Sequence, residues 1–321
     1  MKRIENFHIE KTFKENYVKL MASFYEMESE FLSGLYKRYG DLEGGNVVLF
    51  FARDLHLEVL RKREIDLDFD LSLEKFWINH KHIDQSKKKI ISVSKETGLP
   101  KETARRKILE LIKKKHIKKG ERNKIFWEPA SEHKETYISI IEEEIKSLSK
   151  FIFEQAKLLQ LGISISKIEK EIKNNYSFYW FHYLSVQLKY FKFWHDKLKD
   201  LEMLLIGLQT IILSLNSIKR NNTDYMTFIN QNKVPKNISS KEADISATSI
   251  SDITGIPRAT CIRKLDKFVK MKVLEKDNKS KRYSLSLDQD TFNPMLETEW
   301  MKNKISILSN FSSIVIKSLM R

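Results

Sequence analysis

The chain has 321 residues, 41% hydrophobic and 31% charged, which is the length of two ordinary domains and the balance of a soluble protein with a sizeable core. Its 58 Lys and Arg outweigh 43 Asp and Glu for a formal net charge of +15, so a polyanionic or membrane-surface partner is expected. The lone Cys261 excludes an intrachain disulfide and multi-cysteine metal motifs and fits a reducing compartment, and nine glycines with five prolines are too few for an all-β protein.

From the amino terminus, MKRIENFHIEK carries charge throughout without an apolar core and does not read as a secretory signal. Helical periodicity follows over residues 13–39 and 44–63. Residues 40–46 (GDLEGGN) have the glycine spacing of a phosphate loop, but Asn46 stands where the lysine belongs. Asp66, Asp68 and Asp70 imitate a calcium loop, yet Leu71 and Trp77 occupy the positions of its glycine and bidentate glutamate. His80 and His82 are too few for a metal site. No nucleophile elbow, dinucleotide fingerprint or zinc-protease motif occurs, so neither an enzyme nor a cofactor is expected.

Residues 91–119 (ISVSKETGLPKETARRKILELIKKKHIKK) align without gaps on residues 248–276 (TSISDITGIPRATCIRKLDKFVKMKVLEK), 157 positions further on. Gly98 matches Gly255, Pro100 matches Pro257, Thr103 matches Thr260, and Arg106-Lys107 matches Arg263-Lys264. The offset is close to half the chain, which reads as a duplication with one copy in each half. Upstream, Asp41-Leu42-Glu43 recurs as Asp200-Leu201-Glu202.

Each copy reads as helix, turn, helix, hairpin. Residues 94–97 and 251–254 lie in short helices that stop at Gly98 and Gly255, where glycine takes the left-handed conformation. Pro100 and Pro257 fall at the first position of the next helix. There Ala104, Ile108, Leu111 and Ile112 form an apolar stripe, matched by Cys261, Leu265, Phe268 and Val269, and the basic residues are left on the opposite face. Cys261 therefore reads as a packing residue rather than a redox sensor. Strand starts at His116-Ile117 and Val273-Leu274, polar turns at 119–123 and 277–280, and returning strands at 124–127 and 282–285 complete the copies.

This is the element order of a winged helix, and GLPKETARRKILELIKKKHI and GIPRATCIRKLDKFVKMKVL resemble the recognition-helix region of winged-helix bacterial transcription regulators. The resemblance covers the two copies and not the flanking helices. It implies a mainly α fold with tandem winged helix-turn-helix modules, each with a small β-hairpin wing, on an all-helical scaffold. The expected order is helical scaffold at 1–75, a module at 76–130, scaffold at 131–232, a module at 233–290 and a C-terminal helix at 291–321.

The charge is uneven. Residues 87–124 hold 15 basic and 4 acidic residues, residues 258–282 hold 10 and 3, and the rest of the chain is slightly acidic. Basic charge confined to two modules points to phosphate neutralisation. By the resemblance, the second helix of each copy enters the major groove with Lys101, Glu102, Thr103, Arg105 and Arg106, or with Arg258, Thr260, Ile262, Arg263 and Lys264. Arg122, Lys124, Lys279, Lys281 and Arg282 would reach the backbone or minor groove as wings. Glu102 aligns with Ala259 and Arg105 with Ile262, so the half-sites should differ.

Elsewhere helices are expected over 132–161, over 165–215 with at least one break, and over 297–320, with a polar linker at 221–240. Residues 178–194, dense in aromatic rings, read as core or interface packing rather than an effector pocket. Residues 201–215 fall short of the roughly 20 apolar residues of a membrane span and read as a buried helix. The resemblance gives the flanking helices a homodimer interface. The expected protein is a cytoplasmic, nucleoid-associated transcription regulator that binds double-stranded DNA, with no membrane contact and no assigned effector. A plasmid-type replication initiator with paired winged helices and a chromosome-organising docking protein are the alternatives.

Overall fold

Apolar spacing and capping residues set the helix boundaries, and the first three helices are α1 (Asn6–Glu15), α2 (Tyr17–Tyr39) and α3 (Leu42–Ile65). Asp41 starts α3 by accepting a hydrogen bond from the Gly44 amide at 2.6 Å, which satisfies one of the donors a helix start leaves open. The segment with phosphate-loop spacing is thus a capped helix start. Helix α4 (Leu73–Asn79), capped by Ser72, was not anticipated from the sequence and places Phe76 and Trp77 in the core. Next come α5 (Ile90–Thr97), α6 (Lys101–Lys113) and the strands β1 (Lys118–Lys119) and β2 (Ile125–Phe126). Helices α7 (Lys134–Leu158), α8 (Ile165–Asn174), α9 (Tyr176–Leu198) and α10 (Leu201–Arg220) lead to α11 (Ala247–Thr254) and α12 (Arg258–Lys270). Strands β3 (Leu274–Lys276) and β4 (Tyr283–Leu285) and helix α13 (Glu299–Leu319) complete the order. This computed structural model describes residues 4–220, 243–286 and 299–320; the expected linker at 221–240 lies outside them. Within the described residues the protein is mainly helical, with two small antiparallel sheets.

The duplication is wider than the aligned motif. Helix α1 recurs as α8 and α2 as α9, at equal lengths and 159 residues on, and α3 and α10 both open on the Asp-Leu-Glu triplet. The long helix expected over 165–215 breaks twice, at Asn175 and at Lys199, the latter in the left-handed region at φ 56°. The helix expected over 13–39 begins earlier and breaks at Asn16, where α1 is capped.

The chain forms two compact units that cut across the linear division into segments 1–75, 76–130, 131–232, 233–290 and 291–321. One unit comprises Met1–Ser33, Lys150–Gly162 and Glu202–Ser313; the other comprises Gly34–Ser149, Ile163–Leu201 and Ile314–Arg321. Each repeat is therefore completed by the first two helices of the opposite half: α8 and α9 belong with the first repeat, α1 and most of α2 with the second.

In the unit carrying the first repeat, α3 and α9 make the most extensive helix contact, and α5 and α6 pack on α3. The first half of α3 is buried on all sides, as a central helix must be. Asn46 Nδ2 donates to the Thr97 carbonyl at 3.0 Å, tying α3 to the end of α5. Five rings of the aromatic-rich stretch, Tyr179, Trp180, Tyr183, Tyr190 and Phe191, are buried on α9, and its other rings are half-buried. In the unit carrying the second repeat, Gln209 on α10 donates to Ser29 Oγ on α2 at 2.8 Å, and Phe13 and Phe24 pack around Phe151. Helix α10 is buried through Leu204, Leu205, Ile206 and Leu208. No helix among the described residues is long and apolar enough to cross a membrane.

Candidate nucleic-acid interface

Both repeats turn between their helices by the same device. Gly98 and Gly255 cap α5 and α11 at φ 76° and 72°, a region that costs an L residue roughly 1–2 kcal/mol. Ser94 Oγ donates to the Leu99 carbonyl and Ser251 Oγ to the Ile256 carbonyl, both at 2.7 Å. Thr97 and Thr254 each donate to the carbonyl four residues back at 2.7 Å and accept from the amide two residues on. A turn that would otherwise bury open backbone groups is satisfied by two hydroxyls per copy. Pro100 and Pro257 sit one position earlier than expected: with ψ 141° and 134° they are the N-caps of α6 and α12, and their carbonyls accept the first helical bond.

The expected stripe packs inward. Ala104, Ile108 and Leu111 are buried, as are Cys261, Leu265 and Phe268, while Ile112 and Val269 are half-buried. The Cys261 thiol is fully buried, and burial raises its pKa.

On the opposite face Lys101, Glu102, Arg105 and Arg106 are exposed and Thr103 is half-buried. The second copy matches, with Arg258, Ala259 and Arg263 exposed and Thr260 and Ile262 half-buried. Arg106 and Arg263 make no hydrogen bond or ion pair with a described residue. Glu102 grips Arg105, with Nη2 to Oε1 at 2.6 Å and Nε to Oε2 at 3.0 Å, and this bond holds the Glu102 carboxyl below its usual pKa. Arg258 Nε donates to Thr248 Oγ1 at 3.0 Å.

Lys264 does not belong to this face, which corrects the expectation for it. It is 5% exposed, and its ammonium lies 2.8 Å from Glu202 at the start of α10. Its counterpart Lys107 lies 3.0 Å from Asp41 before α3. The repeated Asp-Leu-Glu triplet therefore supplies the partner of the repeated lysine, a link that separate motifs in the sequence did not reveal.

The hairpins are shorter at their start than expected. His116 and Ile117 are buried ahead of β1, which pairs Lys118 with Phe126 and Lys119 with Ile125. Strand β3 pairs Leu274 with Leu285 and Lys276 with Tyr283. At the tips Arg122, Lys279 and Lys281 are exposed. Lys124 is drawn into an ion pair with Asp84 at 2.6 Å, and Arg282 pairs with Asp244. A third backbone partner, Ile245, bridges to Tyr283 in the second copy. In the first, the Gln85 amide performs that role, donating to the Trp127 carbonyl at 2.9 Å and accepting from its amide at 3.0 Å.

His80 is buried, with Nδ1 3.1 Å from the Trp77 carbonyl. Among the described residues no group of three His, Cys, Asp or Glu side chains is placed to hold a metal. Comparisons with protein-family models, curated proteins and solved structures give no match.

Proposed function

We propose that the two repeats are winged helices and that the chain is a sequence-specific, double-stranded-DNA-binding transcription regulator without a catalytic step, reading two half-sites through α6 and α12. The observation that carries this reading is the shared placement of Arg106 and Arg263 on exposed helix faces, in the two windows that hold the whole basic excess. A lysine-rich surface with no polyanionic partner has no reason to concentrate its charge in two copies of one motif. Arginine on a groove-facing helix can read guanine through two parallel N–H groups, while the exposed wing cations Arg122, Lys279 and Lys281 suit phosphate. With two reading heads in one chain, two half-sites need no second copy. A cytoplasmic, nucleoid-associated location follows from the same reading.

The test is selection of bound fragments from genomic DNA by the purified protein, with affinity measured against salt. Enrichment upstream of genes, with affinity falling steeply as salt rises, is the expected result. Enrichment of iterated origin repeats with local duplex melting would make the protein a replication initiator instead. Absence of binding at low salt would overturn both and leave a protein-docking role.

A further inference from the structure

In their first two turns the outer faces of α6 and α12 differ in charge at one pair of positions, Glu102 and Arg105 against Ala259 and Ile262. Glu102 and Arg105 are an exposed i, i+3 pair, with side chains 76% and 51% accessible. Such pairs add at most a few tenths of a kcal/mol to a helix. Ala259 and Ile262 occupy the same positions in the second repeat without disturbing its fold. A carboxylate on a face that meets phosphate also weakens binding to every sequence alike. General affinity leaves Glu102 unexplained, and its place in the first turn of α6, where a carboxylate gains about 0.3–1 kcal/mol from the helix dipole, does not require an arginine three residues on.

Its geometry supplies a role. The carboxylate holds the Nε and Nη2 edge of the Arg105 guanidinium, with contacts of 3.1 Å and 3.0 Å from Nε and 2.6 Å from Nη2. The guanidinium has five N–H groups in a fixed plane. Gripping the Nε edge leaves the outer fork, one N–H on Nη1 and one on Nη2 lying parallel, available to a ligand. That fork matches the O6 and N7 acceptors of guanine. Holding it in one orientation removes rotamer freedom that an unheld arginine would lose on binding. The second repeat presents only methyl and methylene groups at these positions, which suit the C5 methyl of thymine and offer guanine nothing.

We propose that Arg105 reads a guanine in the half-site of the first repeat with Glu102 as its positioning residue, and that Ala259 and Ile262 make the second repeat select thymine at the equivalent position. The two half-sites are then asymmetric at one defined base pair, while Thr103, Arg106, Thr260 and Arg263 make the contacts the repeats share. This inference rests on the DNA-binding reading above.

The experiment selects bound duplexes from a randomised pool with the full chain and three variants. The double swap Glu102→Ala with Arg105→Ile gives the first repeat the residues of the second without changing net charge. It is expected to melt within a degree or two of the natural protein, to keep its salt dependence, and to lose guanine preference at one position by tenfold or more, making the half-sites alike. Glu102→Ala alone is expected to bind all sequences slightly better while discriminating guanine less, and Glu102→Gln, which still accepts from Arg105, to restore much of the discrimination. Unchanged base preference in the double swap overturns the inference and leaves DNA binding standing. Failure of the natural protein to bind any duplex at low salt overturns the DNA-binding reading itself.

Discussion

Lys264 Nζ and Glu202 Oε2 stand 2.8 Å apart in a nearly closed environment, and the pair does for the second repeat what Lys107 and Asp41 do for the first at 3.0 Å. Each bond fastens the middle of an outward-facing helix to the start of the helix beneath it. The lysine adjacent to an exposed arginine is thus a fastening rather than part of the cationic surface. Replacing Lys264 by Met keeps the aliphatic stem but leaves the Glu202 carboxylate without this cation, at a cost of about 1–3 kcal/mol. Arg263→Ala, on an exposed face, is expected to change stability by no more than about 0.5 kcal/mol. Urea denaturation of the two variants distinguishes them, and Glu202→Gln should recover part of the loss in Lys264→Met. Equal stability of both single variants would mean that Lys264 is not fastened inward.

Gly207 on α10 faces the ring of Phe268 on α12 so closely that an added Cβ would lie 3.1 Å from it. At the aligned positions the first repeat has Val48 and Leu111, both buried. One copy thus uses small against large where the other uses two middle-sized residues. Gly207→Val alone should overpack and destabilise by roughly 1–3 kcal/mol. Adding Phe268→Leu should recover more than half of that loss. Additive effects in a double-mutant cycle would show that the two positions do not share a packing site.

The turn glycines are expected to respond by conformation, with crowding added at only one of them. Nothing lies within 4 Å of a Cβ built on Gly255, whereas one on Gly98 would meet Lys192 Cγ at 3.2 Å. Gly255→Ala should therefore cost about 1 kcal/mol, from the left-handed backbone alone. Gly255→Asn should cost less, because asparagine tolerates that region. Gly98→Ala should cost more than Gly255→Ala. Melting temperatures of the three variants give the order directly, and a Gly98→Ala protein as stable as Gly255→Ala would contradict the contact with Lys192.

Acid should weaken the fold through two buried histidines. Burial pushes His56 down to about 3; His116 is lowered to about 4, first by burial and then by His133, Lys114 and Arg38 nearby. The unfolded chain takes up protons near pH 6.5, where the folded chain keeps both rings neutral, so stability rises with pH across this window. Their contribution is fully present above pH 6.5 and is lost as the pH falls toward 4. Between pH 7 and 5 each accounts for about 2 kcal/mol. His56 stacks on Phe76 with centroids 4.5 Å apart, so His56→Phe suits the site. That variant should lose visibly less stability between pH 7 and 5 than the natural protein, and parallel losses would show that His56 does not remain neutral in the fold.

Several features were legible in the residues themselves. The left-handed turns at Gly98 and Gly255 and the inward stripe through Ala104, Ile108 and Leu111 are local matters of backbone freedom and a 3.6-residue period, and the structure shows them where the sequence placed them. The confinement of basic charge to two windows is arithmetic on the chain. Periodicity could not say which way Lys107 and Lys264 turn, because a lysine at the edge of an apolar stripe follows whichever carboxylate the neighbouring helix presents. Nor could it show Gln85 standing in for a strand by bonding the backbone of Trp127, 42 residues on. The composition of the two units is the clearest case. The sequence by itself determined that there are two copies; only the tertiary structure decided that α8 and α9 complete the first repeat while α1 and most of α2 complete the second. Helices from the two halves share their apolar spacing, which does not distinguish one unit from the other. The choice between them lies in contacts between residues far apart in the chain, which no local pattern encodes.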